Sequence, residues 1–136
     1  MQSRLNPYLN FRDTTRQAME FYKSVFGGKL DISTFGDFNM EGMPADGVMH
    51  SMLSTDAFTF MASDAMPGSE DQWGGTRVYL AFFGDDLGTL SGWFDGLAEG
   101  GSVGTPLEKM VWGDTYGILK DKFGLEWMFN ISAPQS

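Results

Sequence analysis

Hydrophobic and polar residues follow the same succession of spacings twice along the chain. In each half a short apolar run comes first, then apolar residues spaced three and four apart, then runs in which apolar and polar residues alternate. The spacing of three and four predicts a helix, and the alternation predicts strands. The chain is therefore predicted to contain two copies of one βαβββ module.

The first copy begins with the run PYLNF at 7–11. Thr14 and Gln17 are spaced as a capping box at the start of its helix, and the glycines at 27–28 predict the end. The apolar face of this helix is formed by Ala18, Phe21, Tyr22, Val25 and Phe26. Strands are predicted at 29–35, 47–54 and 57–63.

The second copy begins with VYLAF at 78–82, which lies 71 positions after PYLNF. Asp85 or Asp86 is predicted to cap its helix, and the glycines at 100–101 to end it. The apolar face is formed by Leu87, Leu90, Phe94 and Leu97. Strands are predicted at 102–112, 115–121 and 125–131. Module one then spans 1–64, a polar linker 65–76, and module two 77–133.

Composition excludes several classes of function. A chain of 136 residues with 42% hydrophobic residues is long enough to bury the core of one domain. The absence of cysteine excludes disulfides and thiolate chemistry, and the net charge of −9 argues against nucleic acid or an anionic membrane as partner. No run reaches the ~20 apolar residues of a membrane span, and the N-terminus does not read as a signal peptide, so the cytoplasm is the expected location.

The motifs along the whole chain resemble one family. Those that carry the resemblance are 7–11, Phe21-Tyr22, 26–28, Met49-His50, Ser63-Asp64, 100–101, Pro106-Leu107, 112–114, Gly117, Asp121, Phe123-Gly124 and Trp127. They resemble the PhnB-like branch of the vicinal oxygen chelate superfamily, which includes glyoxalases, bleomycin-resistance proteins and dioxygenases. This resemblance implies a single α+β domain over 1–136, with two tandem βαβββ modules forming a curved mixed sheet around a cup. It also implies a homodimer.

The resemblance implies where a metal would bind. In metal-using members of the fold, the ligands come from the first and fourth strand of each module and face the cup. The corresponding residues of this chain are Pro7, Met61, Val78 and Met128. None of them is a ligand for a hard divalent cation. No metal is expected there, and because no stretch resembles a nucleotide-type cofactor loop, no cofactor is expected either.

His50 is the single histidine of the chain and the main candidate for chemistry. A tight hairpin centred on Thr55-Asp56 places His50 opposite Met61, and therefore in the cup. It is then a general base, a hydrogen-bonding group for a ligand, or a partly buried histidine bonded to a neighbouring strand. A tight hairpin in module two, centred on Lys122-Phe123, places Gly117 opposite Met128 in the same way.

Strand alternation predicts the other residues of the cup. The predicted ligand-binding set is His50, Met52, Thr59, Met61, Trp112, Leu119 and Met128. Trp112 either overhangs the cup or packs in the core. Glu126 shares the face of Met128, nearer the rim, whereas Tyr116 and Trp127 are predicted to lie under the helix. Asp64, Asp114 and Asp121 are predicted to order loops through hydrogen bonds.

The leading prediction for function is metal-independent binding of a small molecule, in the form of sequestration of a hydrophobic or aromatic compound. The alternative is a lyase or isomerase of glyoxalase or dioxygenase type, with His50 as base and Glu126 assisting, with or without a displaced metal site. A third possibility is a purely structural dimer whose cup is filled by side chains. The loop at 36–47, which carries Phe38, Met40 and Met43, is predicted to be a lid, a dimer contact or padding over the core.

Overall fold

The computed structural model describes residues 6–65, 79–111 and 113–133. The chain divides into two compact units, Met1–Trp73 and Gly74–Ser136. Within the described residues, neither helix has the length and apolar character needed to cross a membrane.

The first unit consists of β1 (Tyr8–Phe11), α1 (Thr15–Phe26), β2 (Lys29–Thr34), β3 (Val48–Ser54) and β4 (Thr59–Asp64). A short 3₁₀ turn lies between β2 and β3. The sheet order is β1-β4-β3-β2. β1 runs parallel to β4, and the other neighbours are antiparallel. The mixed sheet and the βαβββ order of the first module are confirmed.

The second unit consists of β5 (Leu80–Gly84), α2 (Leu87–Ala98), β6 (Ser102–Lys109), β7 (Thr115–Lys120) and β8 (Glu126–Ile131). The sheet order is β5-β8-β7-β6, with β5 parallel to β8 and the other neighbours antiparallel. This is the arrangement of the first unit, strand for strand. The predicted α+β fold of two tandem modules is therefore confirmed.

The hydrogen-bond register of β1 and β5 corrects the 71-residue offset that the two pentapeptides predict between the modules. Met61 and Met128, which the repeat aligns, pair with Tyr8 and Ala81. Equivalent residues of β1 and β5 are therefore 73 positions apart, not 71. The match between PYLNF and VYLAF is displaced by two residues, because a short match does not fix which hydrogen bonds the strands make.

The core of the first unit lies between α1 and one face of its sheet. Ala18 and Tyr22 are buried as predicted, and Met19, which the spacing did not include, is buried with them. The Tyr22 ring meets the Phe60 ring edge-on at 5.6 Å between centroids. The predicted capping box is wrong: Thr14 makes no side-chain cap, and a carboxylate oxygen of Asp64 accepts from the Thr15 backbone N–H at 3.2 Å.

The core of the second unit repeats this arrangement between α2 and one face of its sheet. Leu90, Phe94 and Leu97 of α2 are buried, and Phe94 meets Phe129 edge-on at 5.5 Å. Leu87 is 52% exposed, so its predicted place on the buried face is wrong. It is the first residue of α2. Asp86 is the N-cap, accepting from the Thr89 backbone N–H at 3.0 Å.

The aspartates at strand ends order the turns, as predicted. Besides Thr15, Asp64 accepts from the Val48 N–H at 2.9 Å. Asp114 accepts from the Asn130 side-chain amide at 3.0 Å. Asp121 is buried and accepts from the N–H groups of Phe123 and Leu125 and from the Trp127 indole. Asp64 and Asp114 thus join segments that are distant in sequence, whereas Asp121 satisfies the donors of its own turn.

Candidate functional site

The first sheet has a face turned away from α1, here called the open face. Burial alternates along β1 and β4, so that Leu9, Phe11, Phe60 and Ala62 lie on the α1 side. The residues of the opposite parity lie on the open face. Four predicted site residues are among them and are half-buried: His50, Met52, Thr59 and Met61.

The hairpin between β3 and β4 places these residues two positions from where the sequence predicts them. Met52, not His50, pairs with Met61, and Ser54 pairs with Thr59. The reversal is held by Thr55, whose N–H donates to the Phe58 carbonyl at 2.9 Å. The predicted pairing of His50 with Met61 is wrong, but a shift of two residues leaves every side chain on its face. His50 therefore still lies on the open face.

His50 contacts a residue that sequence reasoning missed. The Tyr8 hydroxyl lies 3.4 Å from His50 Nδ1, and the two ring centroids are 6.0 Å apart. Tyr8 is brought there by the parallel pairing of β1 with β4, in which it is the partner of Met61. The signal in the sequence was the alternation of β1, which places Tyr8 opposite in parity to the core residues Leu9 and Phe11.

Two thioethers continue the open face across the sheet. Because Tyr8 pairs with Met61 and Met61 with Met52, these three residues lie next to one another on neighbouring strands. Met61 and Met52 are here called the methionine row. Both methionines are half-buried. Methionine is flexible and polarisable, and its sulfur makes favourable contacts with aromatic rings. The Tyr8–His50 pair therefore lies beside two soft apolar side chains on the open face.

A cavity of about 450 Å³ lies at the hairpin end of the first unit. Its lining is Asn6, Pro7, Thr55, Asp56, Ala57, Phe58 and Thr59. Of the predicted ligand-binding residues it includes Thr59 alone, and His50 is not part of it.

The second unit corrects two more predictions. Ile118, not Gly117, pairs with Met128, which shifts the register of β7 by one residue. A shift of one residue moves side chains to the other face. Leu119 pairs with Trp127 and is 1% exposed, so its predicted place in the cup is wrong.

The same one-residue shift moves Tyr116 from the helix side of the sheet to the face of Met128. Tyr116 pairs with Asn130, two residues from Met128, so its predicted place under the helix is wrong. Trp127 is buried on the helix side, as predicted. Met128 and Glu126 are half-buried and share the face away from the core. Trp112 and Val78 lie outside the described residues.

The donor set does not suit the metal of the fold family. The first-strand partner of Met61 is Tyr8 rather than the predicted Pro7, and the partner of Met128 is Ala81. The two thioethers and the methyl group do not bind hard divalent cations, and the Tyr8 phenol by itself does not make a metal site. Within 6–65, 79–111 and 113–133, no three histidine, aspartate or glutamate side chains are grouped so that they could hold a metal ion.

The loop at 36–47 is closed by its own backbone. The Phe35 N–H donates to the Gly47 carbonyl at 3.0 Å, and the Gly36 N–H donates to the Ala45 carbonyl at 2.9 Å. Phe38 and Met40 are exposed, so the interpretation of these two side chains as padding over the core is wrong. A lid or a dimer contact stays a prediction.

Comparison with known proteins agrees with this architecture. The family model of the Glyoxalase/Bleomycin resistance protein/Dioxygenase superfamily matches residues 4–129. Protein YjdN of Escherichia coli is 28% identical over 96% of this chain and 97% of its own length. The structure of protein PA1353 from Pseudomonas aeruginosa superposes with a TM-score of 0.83 at 32% identity, over 98% of this chain and 100% of that one.

A more distant likeness extends to the PhnB-like proteins. A Bacillus cereus structure, described as a putative 3-demethylubiquinone-9 3-methyltransferase, PhnB protein, superposes with a TM-score of 0.73 at 22% identity. It covers 96% of this chain and 100% of its own. At this identity the likeness concerns the fold.

Proposed function

Because the chain belongs to the Glyoxalase/Bleomycin resistance protein/Dioxygenase superfamily, we propose that it binds a small, largely apolar molecule without a metal ion. The observation that carries this proposal is the half-buried His50 on the open face, in contact with Tyr8 and beside the methionine row. His50 supplies the polar contact that orients the ligand, and the row supplies the apolar surface.

The two methionines of the open face support a soft, apolar ligand. Ligand sites are mostly apolar, with a few placed polar groups that fix orientation. Met52 and Met61 lie side by side on neighbouring strands and adapt to varied shapes through their unbranched side chains. The Tyr8–His50 contact supplies the orienting group. A hydrophobic or aromatic compound, held rather than converted, suits this surface.

Independence from metal is supported by the residues at the family's ligand positions. Met61 and Met128 stand where hard-metal ligands would be required, and their strand partners are Tyr8 and Ala81. Zinc, iron and magnesium sites use imidazole and carboxylate ligands. His50 is the only imidazole in the chain.

A second candidate is a lyase or isomerase with His50 as general base and Glu126 assisting. It is favoured by the Tyr8 contact, because a base is oriented by a hydrogen bond at its other ring nitrogen. Glu126 lies in the second unit, on the face shared by Met128. This candidate requires an accepting lone pair on the His50 nitrogen that does not contact Tyr8.

Native mass spectrometry of protein purified without chelator, in a volatile buffer near neutral pH, tests the proposal. We expect a metal-free homodimer, and any retained small molecule appears as added mass that identifies the ligand. About one divalent metal ion per chain would contradict the proposal, since the known donors at the family position do not bind such an ion.

A further inference from the structure

We infer that Tyr8 is a positioning residue that holds the neutral His50 ring with its proton on Nε2, so that the site recognises an uncharged hydrogen-bond acceptor such as a carbonyl oxygen. The inference rests on the proposed function, whose ligand it specifies. It concerns a property of the ligand-free protein, however, and that property is measured separately from binding.

The direction of the Tyr8–His50 hydrogen bond follows from the two groups. A neutral imidazole has one nitrogen that donates and one that accepts. The phenol is the stronger acid of the two, and its oxygen is a weak acceptor because a lone pair is delocalised into the ring. The Tyr8 O–H therefore donates to His50 Nδ1 across the 3.4 Å between them. The hydrogen bond at one ring nitrogen fixes the proton on the other.

The consequence is an N–H donor at Nε2. Among the described residues, His50 has a hydrogen-bond contact at Nδ1 and none at Nε2. An N–H donor at this position is matched by a ligand that supplies a hydrogen-bond acceptor. With Nε2 protonated and Nδ1 occupied by Tyr8, the neutral ring has no accepting nitrogen left for a substrate proton. The tautomer therefore distinguishes binding from base catalysis.

Charge around the site favours an uncharged acceptor over an anion. The protein carries a net charge of −9, which disfavours approach of anions. On the open face, Asp31 is the β2 partner of Met52, and its nearest cation, Lys29, is 4.0 Å away with both side chains exposed. The thioethers of Met52 and Met61 favour an aromatic neighbour. An aromatic ketone combines both features.

The tautomer is measured by a long-range ¹⁵N–¹H correlation spectrum at alkaline pH, where imidazole is neutral. The single histidine makes assignment unambiguous. We expect wild-type protein to show Nε2 protonated and Nδ1 not, and the Tyr8→Phe variant to show a larger fraction of the other tautomer. A wild-type ring protonated on Nδ1 overturns the inference, as does a tautomer fraction that Tyr8→Phe leaves unchanged. The wild-type spectrum decides the first point even if the variant does not fold.

The ligand class is measured with acetophenone, and with ethylbenzene and benzoate as matched probes that lack the carbonyl acceptor or add a charge. We expect acetophenone to shift the Nε2–H signal of His50 and to bind on the order of tenfold more tightly than either probe. Equal binding of ethylbenzene overturns the inference while leaving the proposed function standing. Tighter binding of benzoate than of acetophenone overturns the inference that the ligand is uncharged. Failure of all three to bind, with the Nε2 tautomer present, contradicts the proposed apolar aromatic ligand and not the role of Tyr8.

Discussion

The two units share one scaffold and differ in what they place on it. In the first, the row across the parallel pair and the hairpin is Tyr8, Met61 and Met52. In the second, the equivalent row is Ala81, Met128 and Ile118. The position two residues before Met52 is the imidazole of His50, and the position two residues before Ile118 is the phenol of Tyr116. The fold is repeated, whereas the histidine that we propose as the ligand contact occurs once.

The cores differ in a compensating way. Ser51 lies opposite Ala62 in the first unit, and Gly117 lies opposite Phe129 in the second. The space that a side chain at Gly117 would fill is occupied by Phe94 and Leu107. Both pairs lie on the helix side of their sheets, so each unit fills the same space with a different division of volume. Substitutions at these positions and at the turns test how much each unit depends on its own core packing and turn hydrogen bonds.

The largest predicted effect is at the buried turn of the second unit. Asp121→Ala leaves the Trp127 indole and two backbone N–H groups without their acceptor. We expect a loss of about 3 kcal/mol or more in the free energy of unfolding, measured by urea denaturation. Asp95→Ala, at an exposed position of α2, is the control and is expected to change stability by less than about 0.5 kcal/mol. Equal stability of the two variants would contradict the role given to Asp121.

The next effect tests the division of volume. A Cβ at position 117 would lie 2.9 Å from Phe94 Cε2 and 3.0 Å from the Thr105 carbonyl oxygen. Gly117→Ala is therefore expected to destabilise the protein by about 1–3 kcal/mol in thermal or urea unfolding. At Gly104, also in the second sheet, the nearest atom to an added Cβ is 3.7 Å away. Gly104→Ala is the control, and a loss as large as that of Gly117→Ala would show that packing at 117 is not the cause.

A smaller effect is expected for binding at His50. His50→Ala should weaken acetophenone binding on the order of tenfold in a fluorescence or calorimetric titration, because one hydrogen bond is lost. His50→Gln retains an N–H donor and should bind within about threefold of wild type. If His50→Ala binds as tightly as wild type, the first unit does not owe its binding to this residue.

The smallest effect concerns how the helices are capped. The pKa of Asp86 lies below its usual value, chiefly because the carboxylate accepts from the Thr89 backbone N–H and, next, from its hydroxyl. Since the folded pKa is the lower one, this contribution to stability is present above the ordinary aspartate pKa of 3.8 and is lost as pH falls through the folded pKa. Asp86→Asn should therefore lose less stability than wild type between pH ~5 and pH ~2. An unchanged pH dependence in acid-range unfolding curves would show that the carboxylate contributes nothing.

Elements were predictable from the sequence, and registers were not. Periodicity placed both helices and all eight strands within a few residues of their positions in the structure. The β3–β4 turn has four residues between the paired Ser54 and Thr59, and the β7–β8 turn has five between Lys120 and Glu126. The sequence predicts an even number of residues in both turns. Where the actual number is odd, side chains predicted on one face of the neighbouring strand lie on the other, which is why Leu119 and Tyr116 were misplaced while His50 was not.

A local signal for the second turn was present. Gly124 has a φ of 92°, a conformation that glycine adopts readily and that ends longer hairpin loops. Asp121 accepts across this turn from residues on both sides of Gly124. The Tyr8–His50 contact had no such local signal, because it depends on the parallel pairing of two strands that are about 50 residues apart in the chain.

The most direct test of the account is an acetophenone binding isotherm on wild-type protein before and after treatment with EDTA. The account predicts one saturable site with the same affinity in both samples, because Tyr8, His50 and the methionine row bind the ligand without a metal ion. Binding that disappears with EDTA and returns on addition of a divalent cation would contradict it.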